Sequence, residues 1–307
     1  MSQHVLPDPP QYFPWQKGTY DVSPNLKLLG TDFGNGSMDS KAFQIDTDFP
    51  RFHQSKLQCY AENSGRYVVE EELSDEVAQR SAHWMADRLT VEYPALFVRD
   101  GALLKCALTE NQVSLNGPPL TVLSQLCLEV QEDLAIVRVS PDRDWTAYLN
   151  VCSPSHWAPE SKIGASFVQM HDPVPGFKKI IPAAPGLVKA MIEKGPFVRF
   201  VWTITSDKRL NHHPAPLPGW DPDEWMGRDF SKGQFWVRTE RQVLIPLPEV
   251  SAGLFWIRVG YVSEDHIRAN PALLNSLRSN LHGMTPEIRA YKGLEKRWTQ
   301  MMTLIDN

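Results

Sequence analysis

Two groups of strand-like runs constrain this chain more than any other feature. The first group is Leu103 to Leu108, Gln112 to Leu115, Leu134 to Val139 and Trp145 to Val151. The second is Phe197 to Thr205, Gln234 to Leu247 and Leu254 to Val262. Short runs rich in Val, Ile, Thr and aromatic residues read as strands. Between the groups lie only short helical stretches, near 159–171 and 184–194. The expected fold is α+β: a mostly antiparallel sheet, helices packed at one side, and no doubly wound arrangement.

Helix signals are few and well marked. Ser74 is placed to cap a helix whose first turn holds Asp75 and Glu76, with Ala78, Ala82, Met85 and Leu89 on one face and Tyr93-Pro94 at its end. In the tail, Asn270-Pro271 and Thr285-Pro286 each set a capping residue before a proline at the first helical position. Leu273, Leu274, Leu277 and Leu281 give one apolar face there; Ile288, Tyr291, Leu294, Trp298 and Met301 give another. Twenty-five prolines in 307 residues, above the usual level of about 5%, predict many loops and few long helices. Residues 1–55, rich in Pro, Gly and Asp, read as an extended arm anchored by Tyr12, Phe13 and Trp15. The expected division is this arm, an α+β domain over 56–265 and a helical region over 266–307 packed on it.

Several function classes drop out. A net charge of -5 gives no electrostatic footprint for nucleic acid. Cys59, Cys106, Cys127 and Cys152 form no Cys-x-x-Cys pair, which argues against a structural zinc site, a dithiol redox motif and covalent haem attachment. The N-terminus has neither a basic nor an apolar signal region, and Arg258 interrupts the best apolar run, Gly253 to Val262. A membrane span needs roughly 18 apolar residues. The expected location is therefore the cytosol, with reduced thiols. There is no Gly-x-Ser-x-Gly elbow, Walker loop or His-Glu-x-x-His, and Gly34-Asn-Gly36 has no strand before it or helix after it.

Chemistry concentrates in two segments. After Pro159, the residues Ile163, Phe167 and His171 recur at intervals of four, which aligns them on one helical face; Pro173 and Pro175 then stop the helix. In that position the His171 Nδ1–H reaches a carbonyl one turn back, near Phe167, and Nε2 is left for a metal such as haem iron. A half-buried histidine with its hydrogen bonds satisfied fits the same spacing. The second segment is Arg238-Thr-Glu-Arg-Gln-Val-Leu, inside a strand pattern. Period two puts Arg238, Glu240 and Gln242 on one face and Thr239, Arg241 and Val243 on the other. The polar face is either solvent-facing or a pocket wall. As a wall, Arg238 pairs with a carboxylate such as a haem propionate, Glu240 pairs with a cation, and Trp202 and Tyr261 on neighbouring strands complete an aromatic surround. Two further segments read as structural. Asn211-His212-His213-Pro214, even with Asp221 and Glu224 nearby, has no standard metal spacing and reads as a surface loop. Cys152 reads as a small core residue at a strand end, although thiolate ligation of haem is the alternative.

These segments carry a family resemblance. Trp157-Ala-Pro-Glu-Ser-Lys-Ile-Gly followed by Met170-His-Asp-Pro-Val-Pro resembles the central signature of the haem-dependent oxidative N-demethylases, α-subunit-like. The run at 238–244, with Leu247-Pro248 and the strand ending near Tyr261, resembles the second signature; Tyr93-Pro-Ala-Leu-Phe and the Arg199 to Thr203 strand fall in the expected order. The resemblance spans roughly residues 40–265. It implies a PAS-like domain binding non-covalent haem b, with His171 as the iron ligand. It makes Glu240 a candidate catalytic residue, and Arg238, Arg241, Gln242, Trp202 and Tyr261 candidates for the cofactor pocket. The implied reaction oxidises a small secondary amine such as dimethylamine with O2, releasing formaldehyde. The resemblance implies that its electrons come from NADPH through flavin and iron–sulfur partner subunits; this chain itself has no nucleotide fingerprint and no paired cysteines. Val201 stands where that family suggests a polar residue, so the substrate is open to variation. A haem or small-ligand sensor without turnover is the competing expectation, and a scaffold that has lost the cofactor is another. Ten tryptophans, several in or beside these motifs, fit a pocket built around a flat ligand.

Overall fold

The computed structural model describes residues 5–17 and 19–307. In chain order its elements begin with β1 (Lys27–Leu28), α1 (Phe49–Tyr67), β2 (Val68–Glu70), α2 (Asp75–Glu92), β3 (Phe97–Asp100), β4 (Leu103–Cys106) and β5 (Gln112–Ser114). Next come α3 (Pro119–Leu128), β6 (Asp133–Val139), β7 (Asp144–Asn150), α4 (Phe167–His171) and α5 (Ala184–Glu193). The second half holds β8 (Phe197–Thr205), α6 (Pro222–Trp225), β9 (Trp236–Leu247) and β10 (Ala252–Ser263). The chain finishes with α7 (Glu264–Arg268), α8 (Pro271–His282), α9 (Pro286–Tyr291) and α10 (Trp298–Asp306).

The alternating runs pair into one antiparallel sheet with the order β1-β8-β9-β10-β6-β7-β2, while β3, β4 and β5 form a small second sheet. The fold is therefore α+β. One face of the large sheet buries Val198, Val243, Ile245, Leu254 and Trp256 against Phe43 and the apolar sides of α2 and α3. A second cluster gathers Trp15, Trp202, Ile204, Val237 and Val262 with Ile267, Leu277, Leu281, Met301 and Ile305 of the terminal helices. On the opposite face, Ala135, Leu149 and Val151 pack with Trp157, Ile163 and Phe255. There α5 lies on β9 and β10 so closely that a Cβ on Gly253 would stand 3.0 Å from the Met191 carbonyl oxygen.

The marked helices form as the capping chemistry dictates. Ser74 Oγ accepts from the Val77 amide, and the side chains of Asn270 and Thr285 accept from the first turns of α8 and α9. Tyr12 and Trp15 of the arm are buried; Trp15 Nε1 donates to the Leu273 carbonyl on α8, and Asn280 Nδ2 donates to the Trp15 carbonyl at 2.7 Å.

Two stretches differ from expectation. Residues 49–55, read as arm, are the opening turns of α1. The single helix expected over 159–171 is two pieces, a 3-10 turn at Pro159–Ser161 and α4. Between them Gly164 and Ala165 bond to Thr146 of β7, and Gly164 takes a left-handed φ of +76° that breaks the helix. Among the described residues no helix is long and apolar enough to cross a membrane.

Candidate functional site

His171 ends the five-residue helix α4, held in place by a capping box in which Ser166 Oγ accepts from the Gln169 amide and Gln169 Oε1 accepts from the Ser166 amide. The His171 Nδ1–H donates to the Phe167 carbonyl at 2.8 Å, the bond expected one turn back. That bond fixes the tautomer and leaves Nε2 as the free lone pair. The imidazole is half-buried between two rings: Phe167, with centroids 4.4 Å apart, and Phe177, stacked at 5.3 Å. Burial lowers its pKa, the Phe167 carbonyl opposes that, and the charges of Arg199 and Lys162 add to the lowering. The imidazole is thus kept neutral, the form that ligates a metal.

Strand register assembles the second group. Arg238, Glu240 and Gln242 share one face of β9; Thr203, Val201 and Arg199 of β8 stand opposite them, and Tyr261 of β10 stands opposite Arg238. Arg238 is 1% exposed. Its guanidinium donates to the carbonyls of Ser153, Arg209 and Leu210, to Ser155 Oγ at 2.9 Å and to the Tyr261 hydroxyl, which in turn donates to the Arg209 carbonyl. The Ser155 hydroxyl in turn donates a hydrogen bond to Glu240 Oε1, and Gln242 Nε2 donates to Glu240 Oε2 at 2.9 Å. The chain Arg238–Ser155–Glu240–Gln242 therefore fixes one half-buried carboxylate.

Arg199 connects this face to His171. Burial lowers the Arg199 pKa, while Glu240, Tyr291 and Tyr20 favour its charge. Among the described residues its Nε has no hydrogen-bond partner, and neither does Thr203 Oγ1 on the same face. Buried donors without acceptors are costly in a native protein. From the C-terminal region, Lys292 donates to the Trp202 carbonyl at 2.6 Å and lies 4.9 Å from the Tyr20 ring centre. Desolvation pulls the Lys292 pKa down to about 8 against the attraction of Glu240. Arg199, Ser155 and Lys292 were not singled out from sequence. Only Arg199 carried a signal: a charged residue inside the alternating run Phe197 to Thr205.

The remaining predicted residues lie elsewhere. Trp202 and Arg241 point to the opposite sheet face. Trp202 packs against Trp15 and Tyr20, each with ring centroids 5.9 Å away, and Arg241 donates to the Lys41 and Ala42 carbonyls of the arm. Trp256 is core beside Phe43 and Trp84, whereas Trp157 packs on the site face near Ile163. Cys152 is buried at the end of β7. The Asn211–Pro214 segment is no surface loop, because His212 and His213 are buried. His213 Nδ1 accepts from Arg66 at 2.8 Å and its Nε2–H donates to Glu160, while the His212 Nε2–H donates to Asp207 at 3.0 Å. Asp221 caps α6 and Glu224 pairs with Lys232, so neither joins these histidines.

The residues present fit a haem. A neutral imidazole offers a free nitrogen between apolar rings, and a desolvated guanidinium lacks an acceptor that a propionate would supply. Residues 35–302 match the family model described as haem-dependent oxidative N-demethylase, alpha subunit-like.

Proposed function

The chain belongs to the haem-dependent oxidative N-demethylase α-subunit-like family, and on that premise we propose that it is the oxygenase subunit of an N-demethylase for a small alkylamine of the dimethylamine type. Within this reading a PAS-like body holds haem b without covalent attachment. Formaldehyde is the released product, and the electrons come from a separate flavin and iron–sulfur reductase. When bound, the haem iron supplies the binding and activation of O2.

The observation that carries the reading is the His171 hydrogen bond to Phe167, which presents Nε2 of a neutral imidazole in an apolar setting. His171 would hold the iron through Nε2, and Arg199 would pair with a propionate. Glu240 is the anion that receives a protonated amine, with Ser155 and Gln242 keeping both carboxylate oxygens in register. Arg238 and Tyr261 act as positioning residues through Ser155. Arg241 and Trp202 serve the pocket from the far face by fixing the arm and the edge of β8. Phe167, Phe177 and Trp157 exclude water from this side of the sheet.

The test is the absorption spectrum of the protein reconstituted with haem. A Soret band is expected in the wild type and should be lost or shifted in His171→Ala. An unchanged band in that variant would sink the ligand assignment. Turnover is read separately, as formaldehyde released from dimethylamine with an artificial reductant. Haem uptake without product from any short-chain amine would turn the reading toward a sensor.

A further inference from the structure

A separate cleft lies under the arm, where Pro9 to Tyr12 cross β9 and β10, and it encloses about 210 Å³. Its wall carries four cationic side chains, Arg51, Lys208, Arg241 and Arg258, and one carboxylate, Asp48. The protein compensates these charges unevenly. Arg51 pairs with Asp48 at 3.0 Å, and Arg258, only 5% exposed, pairs with Asp46 at 2.7 Å. Arg241 is bonded to main-chain carbonyls and to no carboxylate. Lys208 has a ring contact, 4.7 Å above Trp236, and forms no ion pair among the described residues. Behind the wall sits Glu132, whose pKa burial pushes up to about 7, so its charge is only partly present at neutral pH.

Unused donors accompany the uncompensated charge. The Nε atoms of Arg51 and Arg258 have no acceptor among the described residues. Gly260 keeps the space before Thr239 Oγ1 free, since a Cβ there would lie 2.9 Å from that oxygen. We propose that this cleft binds a small oxyanion, the phosphate or carboxylate group of a compact metabolite, held by Lys208, Arg51, Arg258 and Thr239 against the Trp236 ring. The volume limits the ligand. At about 30 Å³ per water the cleft holds the equivalent of about seven waters. It is below the roughly 300–1,000 Å³ of pockets for drug-sized ligands, which suits a compact group. The cleft contains neither His171, Arg199 nor Glu240, and shares with that site only the supporting residues Arg241 and Tyr261.

Titration calorimetry of the full chain with inorganic phosphate, and separately with malonate, at matched ionic strength tests it. Saturable binding of one or both is expected, and the stronger of the two names the group. Lys208→Met should weaken it about tenfold, and Gly260→Ala should weaken it by blocking Thr239. Lys208 is exposed, so its variant should fold normally by circular dichroism. Arg199→Gln should leave the affinity unchanged, which separates this cleft from the guanidinium assigned to the propionate. Absence of binding by both anions overturns the proposal, and so does binding that is indifferent to Lys208→Met and Gly260→Ala.

Discussion

Arg238 shows how much of a functional face is made by a residue that need not touch a ligand. Its guanidinium is surrounded by five protein acceptors on three separate segments, at residues 153–155, 209–210 and 261. Arg238→Met would leave four of those oxygens without their donor in a buried setting, the Arg209 carbonyl alone keeping the Tyr261 hydroxyl. Each such group costs about 1–3 kcal/mol, so a loss of about 3 kcal/mol or more is expected in urea unfolding. Arg238→Lys should not restore it, because an ammonium cannot span the fork geometry. A lysine variant as stable as the wild type would show that the fork is not needed. The polarity of this face was legible from period two alone, as Arg238, Glu240 and Gln242 do share it. The role of Arg199 was not, since it depends on the β8–β9 register across some 40 residues, and nothing local in the chain encodes that pairing. Lys292 carried no signal for the same reason; it reaches Trp202 from a different part of the fold.

Among the elements, α4 matters out of proportion to its five residues, because it alone orients His171. So short a helix has little intrinsic stability, and its capping box carries much of the burden. Ser166→Ala removes one half of that box at a cost of about 1 kcal/mol. The expected result is haem affinity reduced roughly fivefold, with global unfolding nearly unchanged, measured by Soret titration beside a melting curve. Equal affinity in the variant would mean that packing of Phe167 and Phe177, rather than the cap, sets the imidazole. Strands and well-capped helices were readable because alternation and capping are local. Helix α1, which is interrupted by the extended backbone of Asn63 (φ -170°, ψ 94°), was hidden because its buried stripe contains a charge. Lys56 is buried there, donating to the Cys127 carbonyl at 2.8 Å and lying 3.8 Å from Asp133. A lysine at that position breaks the apolar periodicity. Helix α3 follows Gly117-Pro118-Pro119, a sequence that reads as a turn, although Pro119 opens the helix.

At the scale of the whole molecule, buried ionisable groups pull stability in opposite directions as pH changes. His156 and His212 stack with centroids 5.3 Å apart and planes 8° apart. Burial lowers both pKa values from 6.5, that of His212 to about 4. Below 6.5 the unfolded chain takes protons that the folded pair refuses, so their contribution is present above 6.5 and lost as pH falls through about 4. Glu132 does the reverse. Burial raises its pKa from 4.5 to about 7, against the pull of Arg258 and Arg241, so the folded protein keeps a proton that the unfolded chain releases. That contribution is full below 4.5 and lost as pH rises through about 7. Asp133, also raised by burial, adds to the same slope. Between 4.5 and 6.5 the two sets oppose each other, and the wild-type Tm should change little there. Glu132→Gln removes one arm of the balance, so its Tm should fall more steeply on acidification than the wild type. The double variant His156→Asn with His212→Gln removes the other arm. Asn tolerates the positive φ at position 156, and Gln retains a donor toward Asp207. In that protein Tm should fall as pH rises from 4.5 to 7. Thermal melts across this range decide the matter. Parallel curves for all three proteins would mean that these groups titrate alike in the folded and unfolded chains.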